Sequence, residues 1–231
     1  MKPGSATKPF FGVDVSVVRP DGSECATGEA GQLLINTPWP GMLRGVYGDA
    51  ARLQKAYYEP FPGRFFTGDG AVRDADGDVR ILGRTDDVVN VSGHRLGTAE
   101  VEAALAAHSD VAEAAVVGVP HAIKGEALYA YVTLRGGAQW SAALERELIA
   151  AERAQIGAIA APDRWHPAPE LPKTRSGKIM RRVLRKVAAG ETDATAMGDL
   201  STLADPGVVS SLIKRHASLH VAAAAAAAKK A

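Results

Sequence analysis

Two long apolar runs constrain the fold of this chain more than any other feature. The stretches VAEAAVVGVPH (111–121) and EALYAYVTL (126–134) are bounded by turn sequences and are predicted to be strands. Sequences with helical periodicity accompany them, at 98–107, 141–155 and 179–189. We expect Thr98 to cap the first of these helices. The mixture of strands and helices over 87–190 predicts a small α+β domain.

The preceding residues have a different texture. Strand-like segments occur at 13–18 and 31–36, a short helix with Asp49 as its cap is predicted at 49–58, and 64–84 reads as a hairpin with DADGD at its turn. A β-rich unit is therefore expected at 1–85, followed by the α+β domain at 86–190 and a partly disordered tail at 191–231. Within the domain, 85–97 reads as a turn-rich connector and 161–178 as an extended, proline-punctuated loop.

Composition excludes several functional classes. The net charge is +1, so no global field draws the chain to nucleic acid or to a membrane. Cys25 is the single cysteine, which rules out an internal disulfide and fits a reducing cytoplasm. No apolar run approaches the roughly 18 residues that a membrane span requires. We expect a cytoplasmic protein with no membrane or nucleic-acid partner.

Two loops carry side chains suited to a nucleotide. Asp69, between glycines in TGDGA (67–71), could accept hydrogen bonds from a sugar diol, although a plain turn aspartate is the alternative. In GRTDDVVNVSGHRLG (83–97), Arg84 and Arg95 offer donor forks for phosphate or ribose oxygens, and Asp86–Asp87 could serve as a hinge. A capped loop with surface ion pairs explains the same residues. His94 has no metal-ligand spacing around it, so we expect it to be structural.

The basic stretch LPKTRSGKIMRRVLRK (171–186) contains seven cationic residues and no acidic one. Four of them are predicted to form the solvated face of a helix: Arg181, Arg182, Arg185 and Lys186. Lys178 differs because it follows a flexible Ser-Gly pair at the junction of loop and helix. A compact ammonium in that position could be brought to a phosphoryl group whose charge is developing.

Taken together, these motifs resemble the C-terminal part of acetyl-CoA synthetases, which belong to the adenylate-forming acyl-CoA synthetase superfamily. The resemblance extends over about residues 3–209 and includes FFTGDGA, GHRLGTAEVE, LPKTRSGKIMRR and LSTLADPGVV. It implies that residues 1–85 are a β-rich remnant of the large adenylation domain. It also implies two steps: acetate and ATP form acetyl-AMP, and CoA then displaces AMP while the small domain rotates on the large one.

The resemblance assigns roles to individual residues. Asp69 and Arg84 would hold the ribose, Arg95 would meet the nucleotide phosphate, and Asp86 would be the hinge. Lys178 would bridge the acyl carboxylate and the α-phosphate during adenylation. The same lysine would be the target of a lysine acetyltransferase and deacetylase. Acetylation would remove its charge and stop the first half-reaction.

The remaining implied sites concern CoA and magnesium. Ser92 and Gly93 would line the pantetheine tunnel, where a side chain at 93 would block CoA, and Arg153 would contact CoA. The stretch from Ala106 through His108 to Val111 would form a Mg²⁺ site built mainly from carbonyl oxygens.

The family's phosphate loop and acetate pocket have no counterpart in these residues, so we expect the chain to need a missing N-terminal portion and to have no appreciable ligase activity alone. Two alternatives stay open. One is a fragment of a propionate–CoA ligase, because the pocket that selects the acyl chain is absent. The other is a non-catalytic module that serves as an acetylation substrate or docking partner through the Lys178 loop.

Overall fold

The structure is a computed structural model that describes residues 2–193 and 195–228, without the side chains of Thr195 and residues 220–228. The chain divides into two compact units, residues 1–87 and 88–231. Each is a mixture of sheet and helix, as the predicted α+β class requires. The division into 1–85, 86–190 and 191–231 stays a prediction.

The first unit is built on one antiparallel sheet of four strands in sequential order. The strands are β1 (Val15–Val18), β2 (Ala30–Ile35), β3 (Phe65–Arg73) and β4 (Val79–Arg84). Helix α1 (Ala50–Tyr57) begins after Asp49, whose carboxylate accepts a hydrogen bond from the backbone N–H of Arg52 at 3.0 Å. The β3–β4 hairpin and the Asp49 cap agree with the sequence prediction.

The second unit contains a five-stranded sheet in the order β6-β5-β8-β7, with β9 parallel to β8. Its strands are β5 (Val88–Val91), β6 (His94–Gly97), β7 (Val111–His121), β8 (Gly125–Leu134) and β9 (Arg164–Pro167). Two expectations are corrected here. The predicted connector at 85–97 contains the β5–β6 hairpin, and the predicted loop at 161–178 contains β9. Val89, Val91 and Leu96 are buried in the sheet, which compensates for the turn-forming residues between them.

Helices cover both faces of this sheet. Helices α2 (Thr98–Ala106) and α3 (Ala142–Gln155) share a core with Val116, Leu128 and Val132. Helices α4 (Arg181–Ala188) and α5 (Gly207–Ala228) share another with Val117, Tyr129 and Tyr131. Since successive residues of a strand point to opposite faces, the two cores lie on opposite sides of the sheet. None of the helices in the described part of the chain is long and apolar enough to cross a membrane.

The ends of two helical regions differ from expectation. The N-cap of α2 is Gly97, and Thr98 is the first helical residue, so Thr98 is not the cap. Its hydroxyl is instead buried, with no hydrogen-bond partner in the described part of the chain. In the predicted tail, α5 extends to Ala228, whereas residues 229–231, part of the expected disordered end, lie outside the described residues.

The basic residues of α4 are not a solvated face. Arg182 donates hydrogen bonds to the carbonyl oxygens of Met197 and Asp199, and Lys186 donates one to that of Ala196. These bonds attach the segment after α4 to the helix. The prediction was wrong because helical periodicity shows which side chains leave the core, not which backbone atoms lie within their reach.

Arg181 and Glu102 form a polar connection between the two helical layers. Arg181 binds both carboxylate oxygens of Glu102, with Nε 3.2 Å from Oε1 and Nη2 2.5 Å from Oε2. Glu102 Oε1 also accepts the backbone N–H of Val116 at 2.8 Å. One side chain of α2 therefore joins α4 and strand β7, and a bidentate geometry of this kind is among the stronger charge-assisted pairs.

We predict that Glu102→Gln lowers the free energy of unfolding of the second unit by about 1–3 kcal/mol. The amide keeps an acceptor for Val116 but removes the carboxylate charge that binds the partly buried Arg181. Urea unfolding followed by tryptophan fluorescence in a Trp39→Phe background would measure this, because Trp140 and Trp165 then give the signal. The exposed Glu170→Gln is the control, with an expected change within about 0.5 kcal/mol. Equal values for the two variants would contradict the prediction.

Candidate functional site

The first group of predicted site residues is formed by the β3–β4 hairpin. Asp69 and Arg84 are paired in register on the two strands. Arg84 Nη1 lies 3.4 Å from Asp69 Oδ1 and donates to the carbonyl oxygen of Thr67 at 3.0 Å, while Arg84 Nε lies 3.2 Å from Asp86 Oδ1. The structure thus brings together Asp69, Arg84 and Asp86, which the sequence had assigned to ribose binding and to a hinge.

Electrostatics favour a permanently charged Arg84 in this group. Burial opposes its charge, but the neighbouring carboxylates of Asp86 and Asp69 outweigh that effect and raise the pKa of the guanidinium above its ordinary value. The Asp69 side chain remains 31% exposed. A partly exposed carboxylate held by an arginine is suited to accept hydrogen bonds from vicinal hydroxyls.

Gly68 is a further residue of this group that the sequence analysis did not single out. Its φ is +76°, and a Cβ at this position would lie 2.6 Å from Arg84 Nη2. Its carbonyl oxygen accepts the backbone N–H of Thr85 at 2.9 Å. Glycine is therefore required both by the backbone conformation and by the approach of the guanidinium.

The β5–β6 hairpin presents the second group, Ser92, Gly93 and Arg95. Ser92 and Gly93 both have positive φ, +52° and +84°, which is the geometry of a tight two-residue hairpin turn. The backbone N–H of Ser92 donates to the carbonyl oxygen of Lys124 at 2.9 Å. A Cβ at Gly93 would meet nothing within 4 Å, so within this chain the glycine is required by backbone conformation. Arg95 is exposed on β6.

Two cations lie on other elements of the second unit. Arg153 is exposed in the last turn of α3. Lys178 is also exposed, but its backbone belongs to an ordered turn. Lys173 and Ile179 form an antiparallel bridge, and the backbone N–H of Thr174 donates to the carbonyl oxygen of Lys178 at 2.9 Å. The expected flexible Ser-Gly junction is thus a hydrogen-bonded hairpin.

Ala106, His108 and Val111, the three residues named for magnesium, have oxygen atoms only in their backbones. The His108 ring is engaged at both nitrogens, with Nε2 3.3 Å from Glu147 Oε2 and Nδ1 accepting the backbone N–H of Asp110 at 3.2 Å. No group of three or more His, Cys, Asp or Glu that could hold a metal occurs in residues 2–193 and 195–228. The carbonyl oxygens of Ala106, His108 and Val111 follow the end of α2, and hard oxygen ligands of this kind suit Mg²⁺.

Two buried titratable groups were missed by the sequence analysis. Glu152 on α3 is fully buried, and neither carboxylate oxygen has a hydrogen-bond partner among the residues that the structure describes. Burial, and secondly the charge of Glu100, raise the pKa of Glu152 to about 8. On the other face, Tyr129 Oη lies 3.2 Å from His166 Nδ1 and 3.0 Å from His216 Nδ1. Burial, followed by the neighbouring charges of His216 and Arg215, lowers the pKa of His166 to about 4.

Comparison with known proteins first identifies the class of the second unit. Residues 100–178 match the AMP-binding enzyme C-terminal domain. Most of the chain is similar in fold to part of each of two solved structures. It superimposes on acetoacetyl-CoA synthetase from Streptomyces lividans with a TM-score of 0.80 at 23% identity, covering 93% of this chain and 32% of that one. For ATP-bound MatB from Rhodopseudomonas palustris the TM-score is 0.69 at 29% identity, covering 80% and 35%.

Acetyl-coenzyme A synthetases are among the curated proteins to which this chain is similar in sequence. The chain is 59% identical over 214 residues to those of Aeromonas salmonicida and Syntrophus aciditrophicus, which is 93% of this chain and 33% of each relative. The predicted resemblance to the C-terminal portion of acetyl-CoA synthetases is confirmed. The chain spans about a third of the length of these relatives.

We predict that Gly68→Ala displaces Arg84 from Asp69 and destabilises the β3–β4 hairpin by about 1–3 kcal/mol more than Gly63→Ala. Both glycines have positive φ, +76° and +81°, but a Cβ at Gly63 would meet nothing within 4 Å. Gly63→Ala therefore isolates the backbone strain of about 1 kcal/mol, and the excess reports the clash with the guanidinium. Hydrogen exchange of the β3 amides measures both variants, and equal protection would contradict the prediction.

We also predict that Glu152 contributes a loss of stability to the second unit as pH rises from about 4.5 to about 8, a contribution that the buried His166 opposes below pH about 6.5. Glu152 has a raised pKa in the folded state, so in this window the unfolded chain has released a proton that the folded chain retains. Glu152→Gln should remove this dependence, worth about 2–4 kcal/mol, while Glu170→Gln should leave it unchanged. Urea unfolding at several pH values measures it, and identical slopes for Glu152→Gln and the unsubstituted chain would contradict the assignment.

Proposed function

We propose that this chain is the C-terminal part of an ATP-dependent acetate–CoA ligase. The observation that carries the proposal is its identity of 57–59% with acetyl-coenzyme A synthetases over almost its whole length. In the proposed reaction, an acetate oxygen attacks the α-phosphorus of ATP and diphosphate leaves. The CoA sulfur, having lost its proton, then attacks the acetyl carbonyl and AMP leaves.

In this proposal Lys178 acts in the first step. Negative charge accumulates on the phosphoryl oxygens as diphosphate departs, and an ammonium nearby stabilises that charge more in the transition state than in the bound substrates. Lys178 is exposed, and its backbone is fixed by the turn that begins at Thr174. Acetylation of Lys178 would remove the charge and stop adenylation, and a lysine acetyltransferase and deacetylase are the proposed partners.

The proposed roles of the other residues follow from the resemblance to acetyl-coenzyme A synthetases. Asp69 and Arg84 would accept and donate hydrogen bonds at the ribose, with Asp86 as the hinge, and Arg95 would bind a phosphate. Ser92 and Gly93 would line the tunnel for the pantetheine arm of CoA, and Arg153 would contact CoA. Mg²⁺ would supply charge neutralisation and would be held by the carbonyl oxygens of Ala106, His108 and Val111.

Two narrower alternatives are compatible with the same residues. The acyl chain could be propionate rather than acetate, because nothing in this chain corresponds to an acyl pocket. A non-catalytic module that is acetylated on Lys178 is the second, and it is favoured by the exposure of that side chain. The first alternative predicts ligase activity with propionate and the second predicts none, so the activity of a hybrid enzyme distinguishes them.

We predict that, in a hybrid enzyme, Lys178→Ala impairs the first half-reaction and leaves the second nearly unchanged. In it, this chain replaces the matching third of the Aeromonas salmonicida acetyl-coenzyme A synthetase. Lys178→Ala should reduce acetate-dependent exchange of diphosphate into ATP by about 10²–10³-fold, the usual size of a lost charge stabiliser. Formation of acetyl-CoA from supplied acetyl adenylate should change by less than about twofold, because the CoA sulfur attacks a carbonyl carbon in that step and phosphorus is not attacked.

The control substitution is Arg175→Ala, which removes an exposed cation from the same turn and should leave both half-reactions within about threefold. The 231-residue chain alone should show no acetate- and CoA-dependent AMP formation. Retention of diphosphate exchange by the Lys178→Ala hybrid would refute the assignment of Lys178. An inactive hybrid with the unsubstituted chain would favour the non-catalytic module, and preference for propionate over acetate in exchange would favour the other alternative.

A further inference from the structure

The backbone of Lys178 is fixed by one residue four positions before it. The backbone N–H of Thr174 donates to the carbonyl oxygen of Lys178 at 2.9 Å, and the backbone N–H of Lys178 donates to Thr174 Oγ1 at 3.1 Å. The two residues are therefore joined twice, once through backbone atoms and once through the threonine hydroxyl. Only the second of these bonds depends on the side chain at 174.

The rest of the turn also closes around Thr174. Its Oγ1 lies 2.9 Å from Ser176 Oγ, so the hydroxyl has a second partner besides Lys178. Its carbonyl oxygen accepts the backbone N–H of Gly177 at 2.8 Å, and Gly177 has the positive φ, +84°, that reverses the chain. A threonine hydroxyl that bonds to nearby backbone in this way holds a turn that the backbone alone would leave looser.

The outer edge of the turn is held by different atoms. Thr174 forms an antiparallel bridge with the buried Leu203, the backbone N–H of Arg175 donates to the carbonyl oxygen of Thr202 at 3.0 Å, and that of Ala204 donates to the carbonyl oxygen of Lys173 at 2.9 Å. These are backbone bonds that any residue at 174 retains. Loss of the hydroxyl would therefore remove the only bond of these that holds the Lys178 amide, while the backbone bond between Thr174 and Lys178 and the attachment to the segment 202–204 stay in place.

We propose that Thr174 is the positioning residue for Lys178. The inference rests on the proposed function, since it assigns Thr174 a role in the step that Lys178 serves. The Lys178 side chain is exposed and carries its ammonium on a flexible four-carbon stem. Before substrate binds, the fold therefore fixes the position of the Lys178 Cα rather than that of the ammonium. A displacement of about 1 Å in a catalytic group can cost on the order of 10²-fold in rate.

The experiment compares Thr174→Val, Thr174→Ser and Thr202→Val in the hybrid enzyme. Valine keeps the shape of threonine and removes the hydroxyl, serine keeps the hydroxyl, and Thr202 is an exposed neighbour on the adjoining segment. We expect Thr174→Val to lower kcat for diphosphate exchange by about 10–100-fold with the KM for ATP within about twofold. Thr174→Ser and Thr202→Val should stay within about threefold, and acetyl-CoA formation from acetyl adenylate should be unaffected by all three.

A second measurement uses the 231-residue chain itself and needs no activity. Hydrogen exchange of the Lys178 amide should accelerate by about tenfold or more in Thr174→Val and not in Thr174→Ser, because this amide donates to the hydroxyl. The Arg175 amide, which donates to Thr202, should keep its protection in both variants. If the Arg175 amide loses protection in Thr174→Val, this variant has lost the whole turn. The test then rests on Thr174→Ser, whose kinetics are predicted to be normal because it keeps the hydroxyl.

The outcomes separate the two proposals. If Lys178→Ala abolishes diphosphate exchange but Thr174→Val does not lower kcat, the positioning role of Thr174 is refuted and the function of Lys178 stands. If the Lys178 amide exchanges at the same rate in Thr174→Val as in the unsubstituted chain, the hydroxyl does not hold the lysine and the proposal also fails. If Lys178→Ala retains exchange, the proposed function itself fails.

Discussion

The alternation of side chains along β7 and β8 is the constraint on which the second unit depends. Both strands are buried on both faces, so Val116, Leu128 and Val132 require one layer of helices and Val117, Tyr129 and Tyr131 require another. Because β8 also pairs with β5 and β9, the same two strands place the hairpin of Ser92 and Gly93 and the segment of His166. Every proposed site of the second unit is attached to this framework.

Polar connections then decide which cations remain available. Arg181 is bound by Glu102, and Arg182 and Lys186 hold carbonyl oxygens of the segment after α4, so these three are part of the scaffold. In the same basic stretch, Lys178 stays exposed at the end of a turn whose backbone is fixed. A scaffold that uses neighbouring cations for structure and presents one ammonium from a defined position is consistent with the proposed role in adenylation.

Part of the candidate site was predictable because its residues are close in sequence or carry strong local signals. Asp69, Arg84 and Lys178 stand out by their glycine-flanked or basic surroundings. Gly68 could have been found by the same signal as Asp69, since a glycine beside a predicted ligand residue indicates a close approach. Glu152 and the group of Tyr129, His166 and His216 could not, because their burial and pKa values arise from helices and strands far apart in the chain.

The sequence by itself determined the two main strands, the helices around them, the α+β class and the resemblance to acetyl-CoA synthetases, because periodicity and motifs are local properties. Tertiary structure decided what periodicity does not encode. It made a hairpin of 88–97, removed Thr98 from its expected role as cap, and bonded Arg182 and Lys186 of α4 to carbonyl oxygens of a neighbouring segment. It also fixed Lys178 through Thr174 and the segment 202–204. The physical reason is that hydrogen-bond partners and burial depend on which distant segments pack together, and a local pattern does not specify them.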